Sequence, residues 1–150
     1  MTMQRTPWNP SRRAIARVKN PLPAPTRCPY CQAHVSIANN SEIYGKPYGE
    51  WPWLYLCGDR QCRAYVGMHP LTDIPLGTLA DGPTRQARGN AKAVFNPIWQ
   101  SGRMTRTKAY HWLAEQLGIA NVDECHFGWM DVQTCQRAAS ACLNLAKETS

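Results

Sequence analysis

At 150 residues, with 43% hydrophobic side chains and 17 basic against 10 acidic residues for a formal net charge of +7, the chain suffices for one domain, or one domain with a metal-stapled lobe. No basic n-region with an apolar stretch opens it, and no apolar run approaches the length of a membrane span, which argues against the secreted and membrane classes. Seven cysteines, an odd number in paired spacing, argue against a disulfide framework and for free thiols in a reducing cytosol.

The charge is uneven along the chain. Residues 1–41 carry six basic residues and no acidic one, whereas the remainder carries eleven basic and ten acidic. Residues 1–27 read as a basic, proline-rich leader arm. Ser11 is placed to cap a short helical turn from Pro10 through Lys19, with Ile15 and Val18 on one face. Pro21, Pro23 and Pro25 then forbid helix and ladder pairing, so residues 20–26 predict an extended linker. Arg12, Arg13, Arg17 and Lys19 on this arm are candidate phosphate contacts. The alternative is a solvated tail whose charge serves solubility.

Cys28-Pro-Tyr-Cys31 and Cys57-Gly-Asp-Arg-Gln-Cys62 come next. Cysteines separated by two to four residues lie on one tight turn, and two such turns facing each other supply four thiolates in a tetrahedron. Cys28, Cys31, Cys57 and Cys62 therefore predict one structural zinc ion, against the alternative of four unrelated core or disulfide cysteines. Four thiolates leave no open position for water, so such a metal folds the chain and does not catalyse. Between and after the two turns, residues 33–38, a broken segment starting at Ile43-Tyr44, residues 51–56 and residues 63–68 predict short strands. Residues 28–70 then form a zinc ribbon. His34 and His69 lie close to it in sequence, where they are expected to shape turns or support ligands, not to replace a cysteine.

From residue 71 the period becomes helical. Asp81 with Pro83 predicts a helix start, and Asn96-Pro97 an interruption before Trp99. Thr105 and Gly118 bracket a helix over residues 106–117, and Asp131 caps a last one carrying Cys135, Ala138, Ala139, Cys142 and Leu143. A second metal cluster from Cys125, His126, Cys135 and Cys142 is weighed against ordinary core thiols, and the alanine-rich surroundings favour the thiols. Arg85, Arg88 and Lys92 share a helical face and are further candidate nucleic-acid contacts, with Tyr48, Trp51, Trp53 or Tyr55 as bases' stacking partners. The alternative is a solvated helix surface and an aromatic core. The fold class is α+β: an N-terminal four-cysteine zinc ribbon of short antiparallel strands packed on a roughly three-helix lobe, residues 71–150, in one compact unit.

Several phrases stand in order along the chain: Cys28-Pro-Tyr-Cys31, Ile43-Tyr44-Gly45, residues 64–70 (AYVGMHP), residues 75–81 (PLGTLAD), residues 95–99 (FNPIW) and Cys125-His126-Phe127-Gly128. Over residues 26–137 the chain resembles a small zinc-finger-containing family of uncharacterised function found in tailed bacteriophages and prophages. The resemblance implies a phage-encoded protein in the bacterial host cytoplasm. The chain departs from the family pattern at Lys92, where a histidine is common, and at Asn96, where an aspartate is; any metal or acid–base role of those residues is absent here. With no paired carboxylates or histidine cluster of a metal-dependent nuclease, the expectation is a non-enzyme, with no membrane and no small-molecule substrate. The expected partner is nucleic acid or a host nucleic-acid-processing protein. The competing expectation is a host-takeover protein that inhibits a bacterial protein through an aromatic surface.

Overall fold

The computed structural model describes residues 4–148, so the first three residues of the expected leader lie outside the described residues. The chain divides between Asp81 and Gly82 into two compact units, and each is taken separately.

In the first unit, helix α1 (Arg12–Arg17) begins where the Ser11 hydroxyl accepts the Ala14 N–H and ends at Val18, ahead of the prolines. The leader does not trail into solvent. Ser11 N–H donates to the Leu71 carbonyl at 2.8 Å, Val35 N–H donates to the Thr26 carbonyl at 3.0 Å, and Trp8 meets the Trp53 ring edge-on at 5.3 Å.

Strands β1 (Val35–Asn39), β2 (Trp53–Cys57) and β3 (Tyr65–Gly67) form one antiparallel sheet in the order β1-β2-β3. They fall where β-branched and aromatic residues cluster. Val35 pairs with Cys57 and Asn39 with Trp53. That register is what matters for the site, because it brings the start of the second cysteine turn beside the strand that leaves the first. β2 is buried at four of its five positions, as a central strand must be. Val35, Tyr55, Val66, Met68 and Leu79 make the small apolar core, which is continuous with Cys28 and Cys57.

The strand predicted to start at Ile43-Tyr44 does not form. Those residues belong to a four-residue helix, α2 (Ser41–Tyr44), closed by Gly45 at φ +84°. The cause is Asn40, whose side-chain amide donates to the Tyr48 carbonyl and accepts the Tyr48 N–H, both at 2.9 Å. A side chain pairing with the backbone like a strand partner closes the loop early and leaves no room for a ladder.

The second unit is helical: α3 (Gly82–Gln100), α4 (Arg106–Leu117) and α5 (Val132–Lys147), with two 3₁₀ turns between α4 and α5. Thr105 and Asp131 cap α4 and α5 as predicted, and Gly118 closes α4 at φ +72°. The predicted break at Asn96-Pro97 is absent, since α3 runs through Pro97 to Gln100. Pro97 removes one N–H, whose acceptor would have been the carbonyl of solvent-exposed Ala93. Phe95 and Ile98, both buried, sit on either side of it, and their burial carries the helix across. Phe95 stacks against Tyr110 and Phe127 at 4.8 and 5.2 Å in a core that also holds Leu113, Leu117, Cys135 and Cys142. Among the described residues, no helix is long and apolar enough to cross a membrane.

Candidate metal centre

Each cysteine pair sits on a turn of the same design. In the first, Cys28 N–H donates to the Ala33 carbonyl at 2.9 Å, and Gln32, the residue after Cys31, has φ +66°. In the second, Cys57 N–H donates to the Ala64 carbonyl at 2.8 Å, and Arg63, the residue after Cys62, has φ +50°. Both turns thus close two residues beyond their second cysteine through a left-handed residue, although the second loop is two residues longer. Neither left-handed position is glycine, which costs each about 1 kcal/mol. That cost persists only where the surrounding geometry fixes the conformation.

The longer loop has its own brace. Asp59 Oδ1 accepts the Gln61 N–H at 2.7 Å and the Cys62 N–H at 3.2 Å, and Asp59 N–H donates to Cys57 Sγ at 3.4 Å. Gly58 is required by proximity: a Cβ there would stand 3.0 Å from the His34 carbonyl oxygen, to which Gly58 N–H already donates at 2.9 Å. His34 therefore supports the site through its backbone. Both ends of the 69–74 turn are held by His69, whose carbonyl accepts the Thr72 hydroxyl at 2.8 Å and whose N–H donates to Ile74 at 2.9 Å. Neither histidine joins the cluster.

The four sulfurs converge. Cys28 Sγ lies 3.6 Å from Cys62 Sγ, Cys31 Sγ lies 3.3 Å from Cys57 Sγ, and all four fall within 4.8 Å of one another. These separations are far too long for disulfides at about 2.05 Å. Thiolates about 2.3 Å from a zinc ion in a tetrahedron stand about 3.8 Å apart, so the cluster is compatible with one zinc ion. Cys28 and Cys57 are buried at the end of the ribbon core, whereas Cys31 is exposed and Cys62 half-buried. The protonation chemistry differs from one sulfur to the next. For Cys28, burial opposes ionisation, but N–H groups of Tyr30 and Cys31 outweigh it and hold the thiol below its ordinary value. Burial pushes Cys57 up, and burial plus the three neighbouring sulfurs push Cys62 up to about 12. Four anions at this distance need a shared cation, and zinc deprotonates coordinating thiols.

Among the described residues, no second group of three or more metal-ligating side chains comes together. Cys125, Cys135 and Cys142 are buried thiols of the helical core, and His126 is exposed, its ring 4.6 Å from that of Trp129. The predicted basic residues separate into two kinds. Arg12, Arg13, Arg17 and Lys19 are exposed on and after α1, and among the described residues no hydrogen bond or ion pair engages their side chains. In the helical unit arginines instead hold the fold. Arg88 donates to the Met130 carbonyl at 3.0 Å, Arg103 to Leu145 at 3.1 Å and Arg137 to Leu117 at 3.2 Å, satisfying carbonyls at helix and turn ends. Arg106 lies over the Trp99 and Tyr110 rings. Arg85 is half-buried beside Arg88 on α3, and Lys92 is exposed.

Of the proposed stacking aromatics, Tyr55 is buried with its hydroxyl bonded to the Asp73 carbonyl. The Trp51 indole donates to Thr72 at 3.0 Å. Only Tyr48, at 70% exposure, is presented to solvent, with Tyr44 beside it. An equally exposed indole, Trp8 at 66%, was not among them, because one tryptophan between prolines carries no periodic signal.

A family model described as a zinc-finger-containing domain, DUF3268, matches residues 24–144, which include both cysteine turns and all three long helices up to the last turn of α5. No curated protein matches the chain, and no solved structure does.

Proposed function

The chain belongs to this zinc-finger-containing domain family, and from that premise we propose that it is a non-enzymatic zinc-ribbon protein binding nucleic acid or nucleic-acid machinery. In this reading it is of phage origin and acts in the bacterial host cytoplasm. The zinc has a structural role, since a set of four thiolates leaves the ion no vacant position for substrate. The observation that carries the reading is the contrast between the two sets of cations. Three leader arginines project from a docked, six-residue helix and Lys19 follows just after it, with no carboxylate in residues 1–41, while the arginines of the helical unit are occupied internally. Exposed cations without internal partners are what phosphate recognition requires.

The test is a salt titration of the zinc-loaded full chain against labelled single- and double-stranded DNA and RNA. The variant Arg12→Gln/Arg13→Gln/Arg17→Gln/Lys19→Gln is run beside it. Wild type binds at low salt, and the variant loses affinity with a salt slope shallower by up to about 3.6 on duplex DNA, or about 0.9 per phosphate contact. Absence of binding at low salt sinks the reading.

The exposed Tyr44–Tyr48 pair, ring centroids 6.0 Å apart, favours a second reading: inhibition of a host protein through an aromatic surface. A stoichiometric host protein retained after nuclease treatment, and lost with Tyr44→Ala/Tyr48→Ala, would select it.

A further inference from the structure

Thr6, Pro7, Trp8 and Asn9 form a tight turn in which Asn9 N–H donates to the Thr6 carbonyl at 2.9 Å. Pro7 occupies the turn position that its fixed φ favours, and Trp8 follows at the tip. Arg5 locks the turn, its Nη1 donating to the Pro10 carbonyl at 3.1 Å and contacting Asn9 Oδ1 at 3.4 Å. Edge-on contact with Trp53 holds the indole from one side, yet two-thirds of Trp8 remains open to solvent, at 66%. The result is a rigidly presented aromatic plane, not a side chain left over from the core.

Around it lies an open groove of about 630 Å³, lined among others by Arg5, Trp8, Arg12, Arg13 and Ile15. Its size falls within the usual range for small-ligand sites. Three arginines therefore share one groove with an indole that is two-thirds exposed, and no carboxylate occurs in residues 1–41. We infer that this groove is a base-stacking site for single-stranded nucleic acid, with Trp8 as the stacking platform and Arg12 and Arg13 as the phosphate contacts. The inference rests on the nucleic-acid reading above and narrows it to a strand form and a residue. A planar ring bordered by cations matches a ligand that alternates flat heterocycles with anions. In a duplex those heterocycles are already stacked and their faces closed. An acidic peptide satisfies the arginines but offers nothing planar to the indole.

The test measures binding of labelled 12-nucleotide single strands of DNA and RNA, and of a DNA duplex, to zinc-loaded full chains. Trp8→Ala is expected to weaken single-strand binding by about tenfold or more, with an unchanged salt slope and unchanged duplex binding. Trp8→Phe keeps most of the affinity. Trp8→Leu, which fills the space against Trp53 without a π-face, loses it as alanine does, with zinc content and thermal unfolding checking that each variant is folded. Arg12→Gln/Arg13→Gln instead makes the single-strand salt slope shallower by about 1.4. Single-strand affinity unchanged in both Trp8→Ala and Trp8→Leu overturns the site while leaving the nucleic-acid reading intact. So does an abasic strand binding as tightly as the natural one. Equal, Trp8-dependent binding of poly-glutamate replaces it with an acidic-peptide site. Wild type that binds no nucleic acid at low salt removes both.

Discussion

The two units order chains of similar length with different materials. Among the described residues, the ribbon unit, Met1–Asp81, buries twelve hydrophobic residues, of which only eight join one cluster and two of those are metal-site cysteines. Among the described residues, the helical unit, Gly82–Ser150, joins all thirteen of its buried hydrophobic residues in one cluster in a shorter chain. A core of that size in a ribbon falls short of the conformational entropy of ordering its loops, and the metal supplies the difference. Cysteine shows the contrast most sharply. In the ribbon four thiols converge as a ligand set, with N–H groups holding Cys28 below its ordinary value although burial pushes Cys57 and Cys62 up; in the helical unit burial pushes Cys125, Cys135 and Cys142 up and nothing gathers them. One residue type serves as ligand in one unit and as small apolar filler in the other.

Zinc removal is the strongest way to break that comparison. Zinc binding is worth about 10–16 kcal/mol in small zinc-folded domains at neutral pH, comparable to the whole stability of an ordinary domain, about 5–15 kcal/mol. Chelation, or Cys28→Ser or Cys57→Ser, is expected to abolish the amide dispersion of the ribbon sheet while the helical circular dichroism signal persists. Loss of the helices together with the zinc would show that the units do not stand independently, and a sheet that survives chelation would show that the metal is dispensable.

The converse perturbation strikes the other core. Leu113 is fully buried, and Leu113→Ala is expected to cost the helical unit about 3 kcal/mol through the cavity it leaves. Urea unfolding followed by circular dichroism reads that loss. A chromophoric chelator should extract zinc from wild type and variant at the same rate. Faster release in the variant would mean that the ribbon leans on the helices.

The same division explains what the sequence made legible. The four ligands, the three ribbon strands and the caps Thr105 and Asp131 follow from local signals: cysteine spacing, β-branched and aromatic runs, and side chains that bond the next turn. What escaped depends on side-chain partners beyond the next turn or on tertiary burial. Asn40 turns Ile43-Tyr44 into a helix by pairing with Tyr48, and Phe95 with Ile98 carries α3 across Pro97. The left-handed Gln32 and Arg63 were invisible because neither is glycine, the usual marker of that conformation. The arginine assignment is the instructive case. A helical-face pattern grouped Arg85, Arg88 and Lys92, whereas the structure shows that Arg88 faces a carbonyl at Met130.

Within the ribbon, the Asp59 brace sharpens the picture of a preorganised site. Asp59→Ala removes the acceptor for two N–H groups of the longer turn and is expected to lower zinc affinity about tenfold. Competition with a chelator of known affinity measures it, and Asp59→Asn, which keeps an acceptor oxygen, should recover most of the loss. Equal affinity in wild type and Asp59→Ala would mean that the cysteines alone shape the turn.

pH should drive the units apart in opposite directions. Zinc ligation needs thiolates, so acid releases the metal and unfolds the ribbon. In the helical unit the sensitivity lies at the alkaline end. Burial raises Cys142 from 9.0 to about 11, so its contribution is fully present below the unfolded value and is lost as pH rises toward 11. Thermal unfolding of the helices is expected to be flat to about pH 9 and to fall beyond it, and Cys142→Ala should flatten that fall. An identical alkaline profile in Cys142→Ala would assign the loss to other groups.

The smallest effect concerns the cap of α5, which tests whether the helical unit depends on local electrostatics at all. Asp131 accepts the Thr134 N–H at 2.8 Å, and hydrogen bonds from the Thr134 side chain and backbone hold its carboxyl below the ordinary value of 3.8. A lowered carboxyl stabilises above its unfolded value and ceases to as pH falls through the folded one, so the cap acts at neutral pH and fails only below about pH 4. Asp131→Ala is expected to cost about 1 kcal/mol, a few degrees in Tm for a unit of this size. Asp131→Asn keeps the acceptor and loses the charge, so it separates the two contributions. If asparagine restores nearly all of the stability, the hydrogen bond carries the cap; if it behaves as alanine does, the charge at the positive end of the helix carries it. Either way zinc affinity should not move, because the residue that caps α5 has no part in the ribbon's metal.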